Sequence, residues 1–341
     1  MNPAFPHRQS AHCESGVASS LFTFHGVAVS EAMAFGLGGG LFFAYLPFVR
    51  INRLPLTTFR TIPGRVIRRA AKRLGIDVRF RTFRDEGQGM AELDRLLSAG
   101  LPVGAQTGVY WLPYFPPALR FHFNAHNIVV TGKEGDRYRI SDPVFGEPVT
   151  CPEDDLRRAR FARGPLSPRG RLFHVGSAPK KVDPAPAVAA AIREVCFLMT
   201  RVPFPLIGVR GIRHLAGQLA SWPSRLGPRK SLLYLGNVIR MQEEIGTGGG
   251  GFRFIYAAFL QEAAGVLGDD RLLELSRRMT AAGDRWRDFA AAGARQCKGR
   301  PEPGDAFESL ARTVRECADL ELSVYRDLDA AARGGRRAGA R

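Results

Sequence analysis

Apolar positions change their period along the chain. Up to about residue 180, helical and alternating stretches follow one another; beyond it, every stretch has the spacing of a helix. Residues 13–24 read as a helix entered at Cys13, and 30–35 as a short helix opened by Ser30, whose hydroxyl suits a cap. A flexible glycine turn, Gly36 to Gly40, leads into an apolar strand at 41–48. Residues 60–74 have helical period with a basic outer face, ended by Gly75. Next come an alternating strand at 78–83, a helix at 89–99 closed by Gly100, and a short buried strand at 102–106. An aromatic loop over 110–123 precedes two strands, 125–131 and 137–141. Their connection, Gly132-Lys133-Glu134-Gly135-Asp136, has hairpin composition. A helix at 156–162 and a strand at 172–175 complete this part.

Proline-rich stretches over 165–170 and 179–184 bracket that last strand and place a boundary near residue 180. Helices follow at 185–200, 207–221, 231–244, 252–267, 271–292 and 306–332. The pattern predicts an α+β fold: a mixed domain over 1–180, an all-α domain over 181–332, and a disordered Gly/Arg/Ala tail over 333–341.

Composition narrows the function classes. Hydrophobic residues at 45% and charged residues at 24% are ordinary globular values. The 49 Lys+Arg against 32 Asp+Glu leave +17, with arginine spread through the whole chain as a GC-rich coding background produces. No basic motif interleaved with aromatics appears, so a nucleic-acid partner is not expected. The functional reading left for the surplus is steering toward an acidic partner, such as a carrier protein. Cys13, Cys151, Cys196, Cys297 and Cys317 are odd in number, scattered and never in a C-x-x-C pair. They suggest neither a disulfide framework nor a zinc ribbon, and a reducing cytoplasm is the expectation. The first residues lack a signal-peptide core. The apolar stretch 32–49 is broken by four glycines and Pro47, so no membrane span or membrane partner is expected.

Candidate chemistry centres on Cys13, His126 and Asp142. A thiol attacks an acyl carbonyl as thiolate, so it needs an imidazole partner, and the imidazole needs an orienting carboxylate. Cys13 stands at a helix start, where the dipole favours thiolate and backbone N–H groups can hold an oxyanion. His126 begins an apolar strand, and the hairpin brings Asp142 to the same sheet end. Cysteine, then histidine, then aspartate is the layout of papain-like thiol catalysis. The plainer reading makes Cys13 a small buried hydrophobe and His126 a core histidine.

Other patterns are weaker. His122 and His126 form an H-x-x-x-H that with Cys13 could ligate zinc, but Phe121-His122-Phe123 is a poor helix, and no metal is expected. His12 adjoins Cys13 and would not face it on a helix; local packing or hydrogen bonding is its expected role. Gly246 to Gly251 satisfies G-x-G-x-x-G formally, yet a helix precedes it where a strand is required, so no dinucleotide or other cofactor is expected. Gly248, Gly249 and Arg253 remain candidates for binding a carboxylate or phosphate at a helix start, against the plainer reading of a flexible hinge. P-loop, G-x-S-x-G and H-E-x-x-H motifs are absent.

Several of these residues occur together in a known pattern. His12-Cys13-Glu14, Gly26, the segment from Ser30-Glu31-Ala32 to Phe35-Gly36-Leu37-Gly38, Pro102-Val103, the run from His126 to Gly132, and Ser141-Asp142 resemble the butirosin-biosynthesis protein H N-terminal domain family. The resemblance spans roughly residues 6–160, and the helical remainder resembles the uncharacterised domain that often follows it. It implies a papain-like cysteine-peptidase fold and an acyltransferase that moves an aminoacyl group from an acyl carrier protein thioester to a small-molecule amine. Cys13, His126 and Asp142 are the matching positions, and Glu31 becomes a candidate substrate contact. Two rivals keep the same fold: a cysteine peptidase or amidase with water as acceptor, and a binding module without catalysis.

Overall fold

The structure, a computed structural model, describes residues 4–301 and 306–338. In chain order its elements begin with α1 (Cys13–Phe24), α2 (Glu31–Leu37), β1 (Leu41–Ile51), β2 (Leu54–Arg60), α3 (Arg65–Leu74), β3 (Asp77–Arg81), α4 (Glu86–Ser98) and β4 (Val103–Thr107). They continue with β5 (His126–Glu134), β6 (Arg137–Ser141), β7 (Val149–Pro152), α5 (Glu153–Arg160) and β8 (Leu172–Ser177). The helices α6 (Ala185–Thr200), α7 (Gly208–Leu226), α8 (Pro228–Glu243), α9 (Arg253–Leu267), α10 (Arg271–Cys297) and α11 (Phe307–Ala338) complete the chain.

The chain forms two compact units, one of Met1–Ala34 with Pro63–Asp183, the other of Phe35–Ile62 with Pro184–Arg341. The first holds an antiparallel sheet in the order β3-β8-β4-β5-β6-β7. The run His126 to Val130 is buried without a break, as a strand covered on both faces requires, and α1 and α4 both pack on β5. Ile128 and Val130 join Leu93, Leu96, Val103, Tyr138, Ile140 and Leu156 in one core. β5 and β6 pair with Val129 opposite Ser141, slip once beyond Val130, and resume with Gly132 opposite Arg139. Residues 132–134 are therefore strand, and the turn is Gly135-Asp136, with Gly135 at φ +59° as the tight hairpin demands.

α1 is buried at every position from Glu14 to Phe22, which its small residues allow. At Gly16 a Cβ would stand 2.6 Å from Ser10 Cβ, so only glycine lets the segment ahead of Cys13 lie against its own helix. The buried Glu14 accepts from the Ile67 N–H at 3.1 Å, placing a carboxylate at the start of α3.

In the second unit, β1 and β2 form a hairpin that packs with the helices. Tyr45 N donates to Leu206 O at 3.1 Å, and Phe59 meets the Trp286 ring edge-on at 5.3 Å. A single boundary near residue 180 thus misses the hairpin, because two strands alone cannot bury Phe43, Tyr45 and Phe59. The helix expected over 60–74 begins only at Arg65, since Pro63-Gly64 breaks the run and Gly64 sits at φ +83°. Residues 54–60 alternate in burial as β2. The disordered tail expected over 333–341 is also corrected. α11 continues to Ala338; residues 339–341 lie outside the described residues.

Candidate active site

Cys13 is the first residue of α1, and the residues ahead of it are tied down individually. His12 is the cap in extended conformation; its Nδ1 accepts from Ser15 N at 3.3 Å and lies 2.8 Å from Ser15 Oγ. Glu31 accepts from the backbone N–H of His12 at 2.6 Å and of Ala11 at 3.1 Å. Burial raises the Glu31 carboxyl above its ordinary range, against the pull of those N–H groups and Ser15. Glu31 was a candidate substrate contact. In the structure its carboxylate is engaged by the chain itself and fixes the peptide groups that lead into Cys13.

His126, 4% exposed, lies with Nε2 2.8 Å from Oδ2 of the fully buried Asp142. The hairpin achieves this by setting the first residue of β5 beside the residue that follows β6. Asp142 Oδ1 accepts from Val144 N at 3.0 Å, and Oδ2 also accepts from the Tyr114 hydroxyl at 3.0 Å. With Nε2 committed to Asp142, the imidazole is also acted on by the Cys13 side chain, through its hydrogen bond and charge. Burial pulls the His126 pKa down, but the charge and hydrogen bond of Asp142, followed by those of Cys13, outweigh it and raise it to about 10. That upward shift favours the imidazolium form, the form that can stabilise a neighbouring thiolate. Burial and then Asp142 push the Tyr114 phenol well above its ordinary value, so it stays a donor.

The other cysteines lack such a partner. Burial pushes Cys151 and Cys196 up to about 12, and raises Cys297 and Cys317 as well. Those four are packing thiols, and Cys13 remains the candidate nucleophile.

The aromatic loop forms one wall. Phe115 meets the His126 ring edge-on at 5.6 Å and the Phe145 ring at 5.0 Å, and this apolar cover keeps water from the imidazole. Asn127 adds a side-chain amide, its Nδ2 3.9 Å from Cys13 Sγ and 3.2 Å from Ala125 O. Neither Tyr114 nor Asn127 was singled out from sequence. An aromatic cluster signals apolar packing, and an asparagine beside a strand histidine has no distinctive spacing.

A cavity of about 800 Å³ lies elsewhere in the first unit, with Phe5, Asp94, Lys133, His7 and Ser141 among its walls. It includes none of Cys13, His126 and Asp142, and reaches the site only through Ser141, the neighbour of Asp142. The candidate reactive centre is built from the contacts of Cys13, His126 and Asp142 and not from that cavity.

The binding residues expected in the second unit are corrected. Arg253 is fully buried: Nε and Nη2 bond the two carboxylate oxygens of Glu321 at 3.0 and 2.9 Å, and Nη1 bonds Gly251 O at 2.6 Å. It offers no cation to a ligand, because its hydrogen-bonding edge is spent inside the unit. Gly248 and Gly249 hold left-handed backbone at φ +67° and +83°. Gly249 N donates to Thr247 Oγ1 and Gly250 N to Glu243 Oε1, each at 3.0 Å, so the run's own neighbours take the place of an anion. His122 is an exposed loop residue stacked on Tyr110, 4.2 Å between ring centroids. Among the described residues, no group of three or more His, Cys, Asp or Glu is arranged to hold a metal, and no helix is long and apolar enough to cross a membrane.

Residues 12–143, which include the whole triad, match the family described as Butirosin biosynthesis protein H, N-terminal. Residues 154–328 match the family described as Domain of unknown function (DUF4872). A crystal structure described as a C39-like peptidase from Bacillus anthracis is similar at 17% identity and a TM-score of 0.37, over 52% of this chain and 96% of that one. No curated protein matches the chain.

Proposed function

The chain belongs to the DUF4872 family, here joined to a butirosin-biosynthesis type N-terminal domain, and from that premise we propose a papain-like cysteine acyltransferase of antibiotic biosynthesis. Its donor is the thioester of an acyl carrier protein, and its acceptor is a small-molecule amine. The observation that carries the chemistry is the buried His126–Asp142 contact at 2.8 Å, with the Cys13 side chain acting on the same ring.

The Cys13 thiolate attacks the thioester carbonyl, and a Cys13–acyl bond forms as the carrier's C–S bond breaks. His126 gives its proton to the departing sulfur, leaving carrier thiol and neutral imidazole. The amine then attacks the acyl-Cys13 carbonyl, His126 takes the amine proton, and the amide leaves as the thiolate and imidazolium are restored. Asp142 orients the ring and stabilises its charge throughout, without taking the proton. The aromatic cover over His126 supports an amine acceptor, since excluding water protects the acyl-enzyme from hydrolysis.

Charge supports an acidic donor. α3 carries Arg65, Arg68, Arg69, Lys72 and Arg73 and no acidic residue, and it is joined to α1 through Glu14, the neighbour of Cys13. Incubating the protein with an acylated carrier and a set of amines tests the reading by mass spectrometry. Amide product supports it; free acid at the same rate with and without amine identifies a hydrolase instead.

A further inference from the structure

An acyl-transfer site needs a donor for the oxygen that becomes negative when sulfur adds to the carbonyl. Asn127 is placed for it. The residue is 6% exposed and follows His126 directly on β5. Its Nδ2 carries two hydrogens: the Ala125 carbonyl, at 3.2 Å, accepts one and fixes the amide plane. The same nitrogen stands 3.9 Å from Cys13 Sγ. That is too long for a strong bond to the resting thiolate, whose electrostatic partner is His126. It suits the acyl oxygen, two bonds from the sulfur through the former carbonyl carbon. Productive oxyanion donors lie about 2.7–3.1 Å from the developing oxygen, and an oxygen on a carbon newly bonded to Sγ sits between the sulfur and this amide.

We infer that Asn127 is the side-chain oxyanion donor of the site, contacting the acyl oxygen in the tetrahedral intermediates of both acylation and transfer. The inference rests on the Cys13 nucleophile reading, but not on whether amine or water is the acceptor, because both routes pass through the same oxyanion. Asn127 is neutral, as the role requires. A cation there would compete with His126 for the resting thiolate, whereas an amide gains most strength only when the oxygen charges.

The test separates acyl chemistry from thiol reactivity. Asn127→Ala and Asn127→Ser are compared with the native protein in steady-state thioester turnover and in alkylation of Cys13 by iodoacetamide, which displaces iodide at saturated carbon and builds no oxyanion. Thermal unfolding verifies that each variant is folded. Loss of one oxyanion donor lowers kcat by about 10²–10³. That loss is expected for Asn127→Ala, with a smaller one for Asn127→Ser, whose hydroxyl can donate, and with alkylation rates within about twofold of native. Turnover retained in folded Asn127→Ala overturns the inference. So does an alkylation rate that falls in parallel with turnover, since Asn127 would then act on the thiol itself. Activity surviving in Cys13→Ala overturns the nucleophile reading and this inference with it; failure of Asn127 alone leaves Cys13→Ala inactive.

Discussion

Arg253→Ala discriminates sharply between a ligand-binding and a structural role for the helical unit. The guanidinium and the Glu321 carboxylate are both fully buried and bonded two by two, and the same carboxylate accepts from Trp286 Nε1 at 2.7 Å and the Tyr325 hydroxyl at 3.0 Å. Burial alone disfavours the charged arginine, but Glu321 outweighs it and raises the Arg253 pKa. Removing the cation leaves a buried carboxylate with only two neutral donors. Breaking a buried pair in this way costs about 3–5 kcal/mol. At about 2–4 °C per kcal/mol for a unit of this size, the melting transition should fall by roughly 6–20 °C. A compensating change is available. Arg253→Met with Glu321→Gln removes both charges; the amide oxygen can take the place of Oε1 and accept from Trp286 Nε1, while the amide nitrogen takes the place of Oε2 and donates to the Tyr325 hydroxyl oxygen, so most of the loss should be recovered. Thermal unfolding followed by tryptophan fluorescence reads both variants, and steady-state assays at a temperature where each is folded should show donor and acceptor KM unchanged. A stable Arg253→Ala protein with raised KM would refute the reasoning and return Arg253 to the binding residues.

At the catalytic centre, Asp142→Asn should lower kcat by on the order of 10²–10⁴, with Tyr114→Phe costing about tenfold for one lost bond to a charged carboxylate; native rates in Asp142→Asn would remove it from the site. His126 has a folded pKa above its ordinary 6.5, so its contribution to stability is complete below about pH 6.5 and lost as pH rises through about 10. Urea unfolding of native protein against Asp142→Asn should therefore show a gap that narrows from about pH 6 to about pH 10, and a widening gap would contradict the assigned imidazolium. Arg68 and Lys72 are exposed on α3, so Arg68→Glu with Lys72→Glu should raise KM several-fold for carrier-bound thioester at low salt, and barely at about 1 M, where screening acts within about 3 Å. A small untethered thioester should be unaffected, and an equal change for both donors would argue against docking there.

The juxtaposition of the three candidate residues was legible because each stood where its local pattern is strong. Cys13 opens an apolar helix, His126 opens a run of β-branched residues, and Gly135-Asp136 closes the hairpin that brings in Asp142. What holds the triad was less legible. Glu31 reaches back across the chain to peptide groups at 11 and 12, and Tyr114 reaches Asp142 from a loop, contacts that no spacing rule encodes. Arg253 shows the opposite failure. A cation behind a glycine run looks like an anion site until its partner, 68 residues away on α11, is known. The β1–β2 hairpin is similar: the apolar run 41–48 marks a strand but not the unit against which it is buried, and its partner strand over 54–60 was not read from the sequence.

The most direct measurement is the mass of the protein quenched during turnover of a carrier-bound thioester. Cys13 labelled by the acyl group, on the peptide that contains it and on no peptide bearing Cys151, Cys196, Cys297 or Cys317, is the expected result. The adduct should disappear on adding amine as amide forms, and it should be absent from Cys13→Ala, which should not turn over. Amide formation at native rate by a folded Cys13→Ala protein, or turnover with the acyl group on any other residue, would contradict the assignment.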